Sequence, residues 1–347
     1  MPSSPFDSLA SLRAAFVAGL EALLEDEGVG AYILVRANAG FDPQIQELLG
    51  GRLARRYRLL AARCRELLAL GEEPPDAPDD LLVFLKLMAL GGGDIGVTEL
   101  RTSGPWELQF NPLRAFRPKR MSAGSGRGIQ TPFRPDGFHF HKPFLRRETF
   151  WHGRLLGREL DLLYNKFPFM DMHGLLVPEC QAGLPQLLTR DWHHYVWQLA
   201  EELGGGLPGV GFGYNAYGAY ASVNHLHFQM FVRSWPLPVS QPDWRHNGGE
   251  RSYPALCRVF ERTDSAWEYI DLLHHQETSY NLVYLPGRLY CLPRARQGSY
   301  RSARWAAGHA WYEMAGGVVS FRRSDFERLS AADVEAELRR VGKGAAD

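Results

Sequence analysis

The sequence lacks an excess of charge of either sign. Its 39 Lys and Arg match 39 Asp and Glu, a formal net charge of +0. No global field therefore draws nucleic acid or a membrane surface to it, although local clusters can still hold nucleotide-sized anions. Cysteine is scarce as well. The four, Cys64, Cys180, Cys257 and Cys291, lie far apart without a C-x-x-C pair, which argues against a cysteine zinc site or a disulfide scaffold. No apolar run approaches a membrane span, and the first residues lack the pattern of a signal peptide. A cytoplasmic protein with reduced thiols is the expectation. What is present is a 45% apolar content over 347 residues, enough for one large domain or two ordinary ones with a real core.

Along the chain, Leu9, Leu12, Phe16, Leu20 and Leu23 recur at helical spacing, predicting a helix over 7–25 with Asp7 or Ser8 as cap. Further helices are predicted near 43–70 and 80–90, separated by the breaker cluster at 71–78. The character changes after about residue 97. Trp106–Phe110 reads as a strand, and 112–135 is rich in Arg, Lys, Gly and Pro. Strands and turns then run to about 235, interrupted by a helix at 190–203. A polar loop at 240–255, a helix at 255–275, strands at 280–292 and 309–321, and a final helix opened by Ser330 complete the reading. The domain expectation is a helical region at 1–100, a catalytic region at 101–240 and a C-terminal region at 241–347 packed on it.

The chemistry concentrates at residues 223–233, read as one strand. Val223, His225, His227, Gln229, Phe231 and Arg233 share one parity; Leu226, Phe228, Met230 and Val232 share the other. Alternate side chains of a strand point to opposite faces. One face is then apolar, and the other aims two imidazoles and an amide at one place. A neutral imidazole has a lone pair able to attack phosphorus and form a covalent intermediate. Spacing alone also allows metal ligation, or two histidines satisfied on a sheet face.

Asn224-His225-Leu226-His227-Phe228-Gln229 resembles the active-site motif of the histidine-triad superfamily, in its H-x-H-x-Q branch of nucleotidyltransferases and phosphorylases. Three further segments resemble that branch in order. Gly211–Tyr220 is similar to the matching stretch of GDP-L-galactose and GDP-D-glucose phosphorylases. His173-Gly174-Leu175-Leu176-Val177-Pro178, followed by Leu184-Pro185-Gln186, resembles a G-H-x-L-L-V-P segment, with Met172 in place of the usual glycine. Leu108–Asn111 with Arg114, Lys119 and Arg120 resembles a Q-L-N…R…K-R element. The match is good over roughly 105–235 and looser at Tyr280–Val283 and Tyr312–Gly316. Where the family has F-N-F-x-K, this chain has Phe138-His139-Phe140-His141-Lys142.

The resemblance implies an α+β fold: an antiparallel sheet flanked by helices, an N-terminal helical extension, and residues 241–347 as a degenerate second half. It makes His227 the nucleophile, Gln229 a donor to a phosphate oxygen, and His225 its neighbour in the catalytic set. It places His173, Asn215, Gly218, Ser222, Asn165, Arg114, Lys119 and Lys142 on the substrate. No metal or other cofactor is required; inorganic phosphate is the co-substrate. The implied reaction is phosphorolysis of an NDP-hexose, GDP first, to NDP and hexose 1-phosphate. Partners are the nucleotide sugar and phosphate, with neither nucleic acid nor membrane, and a homodimer is left open. Dinucleoside polyphosphate phosphorolysis, transfer to another phosphorylated acceptor, a non-catalytic nucleotide-binding regulator, and a metal-dependent hydrolase using His139 and His141 stand as alternatives.

Overall fold

Leu12, Phe16, Leu20 and Leu23 form the buried stripe of helix α1 (Leu9–Leu23), and the Ser8 side chain caps it by accepting from the Ser11 amide. The computed structural model describes residues 4–92, 97–118, 128–306 and 308–342. Helix α2 (Val29–Ala39) escapes the sequence reading because it is buried nearly all round and carries no amphipathic stripe. Helix α3 (Pro43–Ala69) starts as predicted, with Asp42 accepting from Gln44 and Ile45 amides and Pro43 in the first turn. Helix α4 (Pro78–Ala89) follows the breaker loop.

Eight strands form one antiparallel sheet: β3 (Thr149–Leu155), β4 (Arg158–Tyr164), β5 (Gly174–Pro178), β6 (Val210–Asn215), β7 (Phe228–Val232), β8 (Arg258–Phe260), β9 (Tyr280–Leu285) and β10 (Arg288–Pro293). Their spatial order is β3-β4-β5-β7-β6-β9-β10-β8. Helix α5 (Arg190–Gly204) precedes β6, and α6 (Thr263–His275) precedes β9. Outward from the β6–β9 seam, the order β6, β7, β5 is therefore echoed by β9, β10, β8, each with its helix in the matching connection. The strand and helix order around β6 and β7 is thus repeated around β9 and β10. Tyr290 and Leu292 of β10, apolar and buried, join the core on the face that bears Gln229 in β7, so the catalytic motif is not repeated.

A second sheet joins β1 (Glu99–Ser103), β2 (Trp106–Phe110) and β11 (Gly317–Ser320), with β2 and β11 parallel. Helices α7 (Trp311–Met314), α8 (Arg323–Arg328) and α9 (Ala331–Val341) complete the chain. Three readings need correction. The stretch 309–321 is not one strand but α7 followed by β11, because Gly316, with φ of +96°, breaks between them. The helix read over 255–275 begins only at Thr263, since Arg258–Phe260 pairs with β10 as an edge strand. The strand read over 223–233 is β7, and it starts at Phe228.

The two faces of the large sheet are covered differently. Leu226, Phe228, Met230 and Val232 pack with Val196, Leu199 and Ile270 of the helices α5 and α6. Phe231 packs instead with Trp106, Leu108, Trp311, Tyr312 and Val319. The period-two alternation thus holds over β7, and each fully buried Leu, Phe or Val adds about 1.5–3 kcal/mol relative to exposure. The N-terminal helices pack against Leu113, Tyr164 and Phe167. Asn38 Nδ2 donates to the Asn165 carbonyl at 3.0 Å, and Lys166 Nζ pairs with Asp80 at 2.7 Å. These contacts hold the loop between β4 and β5 over the sheet. Among the described residues no helix is long and apolar enough to cross a membrane, and all four cysteines are free.

Candidate active site

Gln186 explains why the strand starts late. Its side chain occupies the gap between the end of β6 and His227. Its Nε2 donates to the Asn215 and His227 carbonyls at 2.9 and 3.2 Å, and its Oε1 accepts from the His227 amide at 2.9 Å. A side-chain amide replaces the ladder partner there, so His227 leaves the regular strand with its backbone amide and carbonyl still paired. Asn224 fixes the same segment, accepting from the Gln186 amide and donating to the carbonyls of Thr131 and Pro132.

His227 is buried, and its Nδ1 lies 2.8 Å from the His225 carbonyl. A carbonyl only accepts, so Nδ1 carries the proton and the Nε2 lone pair is left exposed for attack. No hydrogen bond to Nε2 exists among the described residues. Burial depresses the His227 pKa from 6.5 to about 4, against the opposing pull of the His225 carbonyl. The imidazole is therefore neutral at physiological pH. His225 accepts the Phe140 amide on Nδ1 at 3.1 Å, which puts its proton on Nε2. That Nε2 is buried without a partner. Burial first, then the neighbouring His227, lowers its pKa to about 4. The Phe140 ring lies over both imidazoles, with centroids 5.7 Å from His225 and 5.0 Å from His227.

Gln229 lies on β7 two residues on. Its Oε1 is 2.8 Å from Trp311 Nε1 and 3.2 Å from His173 Nε2. His173 is fully buried, accepts the Phe169 amide on Nδ1 at 3.3 Å, and is held neutral by burial and by Arg114, with a pKa lowered to about 3. Asn165 Oδ1 accepts from the Phe167 amide, and its Nδ2 lies 3.2 Å from His173 Nε2. Arg114 is buried against the Phe169 ring at 4.5 Å and donates to the Phe167 carbonyl. Burial and then Arg117 lower its pKa to about 9, and Glu313 opposes this.

The remaining expected residues separate. Asn215 spends its Oδ1 on Asn281 Nδ2 and the Trp311 amide, both at 2.7 Å, clamping α7 to the sheet. Gly218 adopts φ of +85° in the turn after β6, where its carbonyl accepts from Gln297. Ser222 is half-buried in the irregular segment before His225 and makes no hydrogen bond among the described residues. Lys142 heads the short 3-10 turn Pro143–Glu148, and its charge depresses the His139 pKa after burial does. The segment 138–142 thus lies against His225 and His227 through the rings of His139 and Phe140. Lys119 lies outside the described residues. Among the described residues no group of three or more His, Cys, Asp or Glu is arranged to hold a metal ion.

Gln186, Phe140, Phe169 and Trp311 had no role assigned from sequence. For Trp311 a signal existed in the glycines of β6. A Cβ on Gly213 would lie 2.2 Å from the Trp311 ring, and one on Gly211 would lie 2.4 Å from Phe231. Alternate glycines on one strand face mark a surface that another element approaches closely.

The buried imidazoles make stability depend on pH with a definite sign. His173, His193, His225, His227 and His309 are all shifted below 6.5 by burial. The unfolded chain binds protons near 6.5 and the fold does not, so stability is full above about 6.5 and falls as pH drops toward 4. The urea midpoint should be level from pH 7 to 8 and decline from 6.5 to 4.5. A level midpoint through that lower window would show that these histidines are not held neutral.

The sheet and the His-x-His-x-Gln segment bring a neutral His227 with an unbonded Nε2 and the Gln229 amide to one place. Residues 153–231 match the family model described as GDPGP1-like, N-terminal domain. The chain is 33% identical over 148 residues to GDP-D-glucose phosphorylase 1 of Macaca fascicularis, covering 38% of this chain and 35% of that protein. It is 34% identical over 191 residues to GDP-L-galactose phosphorylase 2 of Arabidopsis thaliana, covering 48% and 44%. The matched segments thus span less than half of these relatives. The crystal structure of yeast Ap4A phosphorylase Apa2 shares the fold, with a TM-score of 0.51 over 78% of this chain and 96% of that one at 16% identity. The segment that matches this model carries His225, His227 and Gln229 and is similar to the relatives that the motif's resemblance implied.

Proposed function

We propose that this protein phosphorolyses a nucleoside diphosphate hexose, with GDP-hexose the first choice, through a nucleotidyl-His227 intermediate. The observation that carries the reading is the His227 tautomer: Nδ1–H on the His225 carbonyl leaves Nε2 with its lone pair in a buried, neutral ring. In the first step that lone pair bonds to the α-phosphorus. The bond from the α-phosphorus to the bridging oxygen breaks, and hexose 1-phosphate leaves with the electron pair. In the second step an oxygen of inorganic phosphate attacks the same phosphorus. The phosphorus–nitrogen bond breaks, its electrons return to Nε2, and NDP leaves. Two in-line displacements split one hard substitution into two easier ones.

Gln229 suits a phosphate acceptor. Its amide donates to a phosphoryl oxygen but cannot remove a proton from water, whereas phosphate arrives already ionised. Phosphate is the co-substrate, and the steps as written need no resident cofactor. GDP-hexose stands first because the curated relatives are named for it. The four free cysteines support a cytosolic setting.

The test is incubation with α-labelled GDP-hexoses, other NDP-hexoses and Ap4A, with and without phosphate. The expected result is an acid-labile, base-stable protein adduct without phosphate, and GDP release when phosphate is added. No adduct and no phosphate-dependent turnover across the common bases would overturn the reading.

A further inference from the structure

We infer that Trp311, from the C-terminal region, is a positioning residue for the reaction: it locks the Gln229 amide so that its NH2, not its carbonyl oxygen, faces the phosphoryl group. This rests on the proposed nucleotidyl transfer and adds a residue outside the matched 153–231 segment.

One obligate donor fixes the Gln229 amide. His173 does not decide the orientation: the Phe169 N–H donates toward its Nδ1 at 3.3 Å, while the Asn165 NH2, a donor only, lies 3.2 Å from its Nε2. Gln229 Oε1 lies 3.2 Å from that same Nε2. Indole Nε1–H is also a donor only, and Trp311 presents it to the same oxygen at 2.8 Å. Rotating the amide by half a turn would set NH2 against the indole N–H, so this orientation is the favoured one. The NH2 group makes no hydrogen bond among the described residues and is left to donate outward.

Trp311 is itself held rigidly. Its ring is fully buried and stacks on Phe231 at 5.1 Å and 14°. Its amide is bonded by Asn215 Oδ1. Gly213, paired with Gln229 across β6 and β7, leaves the space the indole fills. An amide free to flip would present an oxygen to an anionic phosphoryl group for part of the time, which repels it.

Trp311→Phe keeps the stack and removes the donor. Its kcat should fall about 10-fold or more, within the range for loss of a transition-state donor, with KM within about twofold. Discrimination between the two α-thiophosphate diastereomers of the nucleotide sugar should weaken, because Gln229 no longer selects one non-bridging oxygen. In a Gln229→Ala background the same change should add little. Gln229→Glu, which can accept from Trp311 but cannot donate, should lose as much activity as Gln229→Ala while remaining folded; it keeps the test open if Trp311→Phe does not fold. Independently of activity, the Trp311 indole N–H should exchange slowly in the wild type and faster in Gln229→Leu. Unchanged diastereomer preference with unchanged kcat in Trp311→Phe, full activity in Gln229→Glu, or indole exchange indifferent to Gln229 would each overturn the inference. Absence of turnover by the wild type would instead strike the proposed reaction and leave the exchange result to judge the pair.

Discussion

His227→Ala should abolish the nucleotidyl adduct and lower phosphorolysis by roughly 10⁴-fold or more, the scale of losing a covalent nucleophile. The fold should survive, because Gln186 bonds the His227 backbone and not its ring. The deleted ring leaves a small void under Phe140, whose cost is modest beside the loss of chemistry. Circular dichroism and urea unfolding check the fold, and the labelled adduct assay checks the chemistry. Adduct formation by the variant would move the nucleophile elsewhere. His225→Ala should behave differently. It keeps the His225 carbonyl that orients His227, so part of the rate should remain, while the Phe140 amide loses its acceptor.

Glu107→Ala should destabilise the protein by about 3–5 kcal/mol, the cost of stranding one partner of a buried pair. Glu107 on β2 and Arg233, just past β7, are 8% and 6% exposed and bond at 2.7 Å. The same carboxylate accepts from Trp235 Nε1 at 2.7 Å and from the Tyr312 hydroxyl. One side chain thus joins the small sheet, the catalytic strand and α7. Removing it leaves the Arg233 cation, the indole and the phenol without their acceptor. Glu107→Ala/Arg233→Met should recover part of the loss, since no unpaired charge then remains. The measurement is the urea midpoint of both variants. A loss under 1 kcal/mol for Glu107→Ala would mean the pair is solvated and does not join the layers. A lower kcat in Glu107→Ala at temperatures where it is folded is also expected, because Tyr312 neighbours Trp311.

Much of the architecture was legible in local patterns. The stripe of α1, the caps Ser8 and Ser330, the Asp42-Pro43 start of α3 and the alternation across β7 are each dictated within a few residues. The failures share a cause. Helix α2 is buried on all sides, so its apolar residues show no period. The start of β7 is set by Gln186, roughly forty residues upstream, which no strand pattern contains. In 309–321, a helical turn beside a strand offers only short apolar runs, which periodicity cannot separate.

The candidate site divides in the same way. The sequence by itself set two imidazoles and an amide at alternate positions, with an apolar opposite face on the helices, and its resemblance to the H-x-H-x-Q branch singled out His227 as the candidate nucleophile. It also determined that Gln229 stands where a third histidine would, which bears on the acceptor. Only the tertiary structure decided which nitrogen of His227 carries the proton and how the Gln229 amide is turned. Those are hydrogen-bond choices made by the His225 carbonyl and the Trp311 indole. Alternation sets the face a side chain points to. The orientation of its polar atoms depends on donors brought across the fold, as Trp311 reaches Gln229 from 82 residues away.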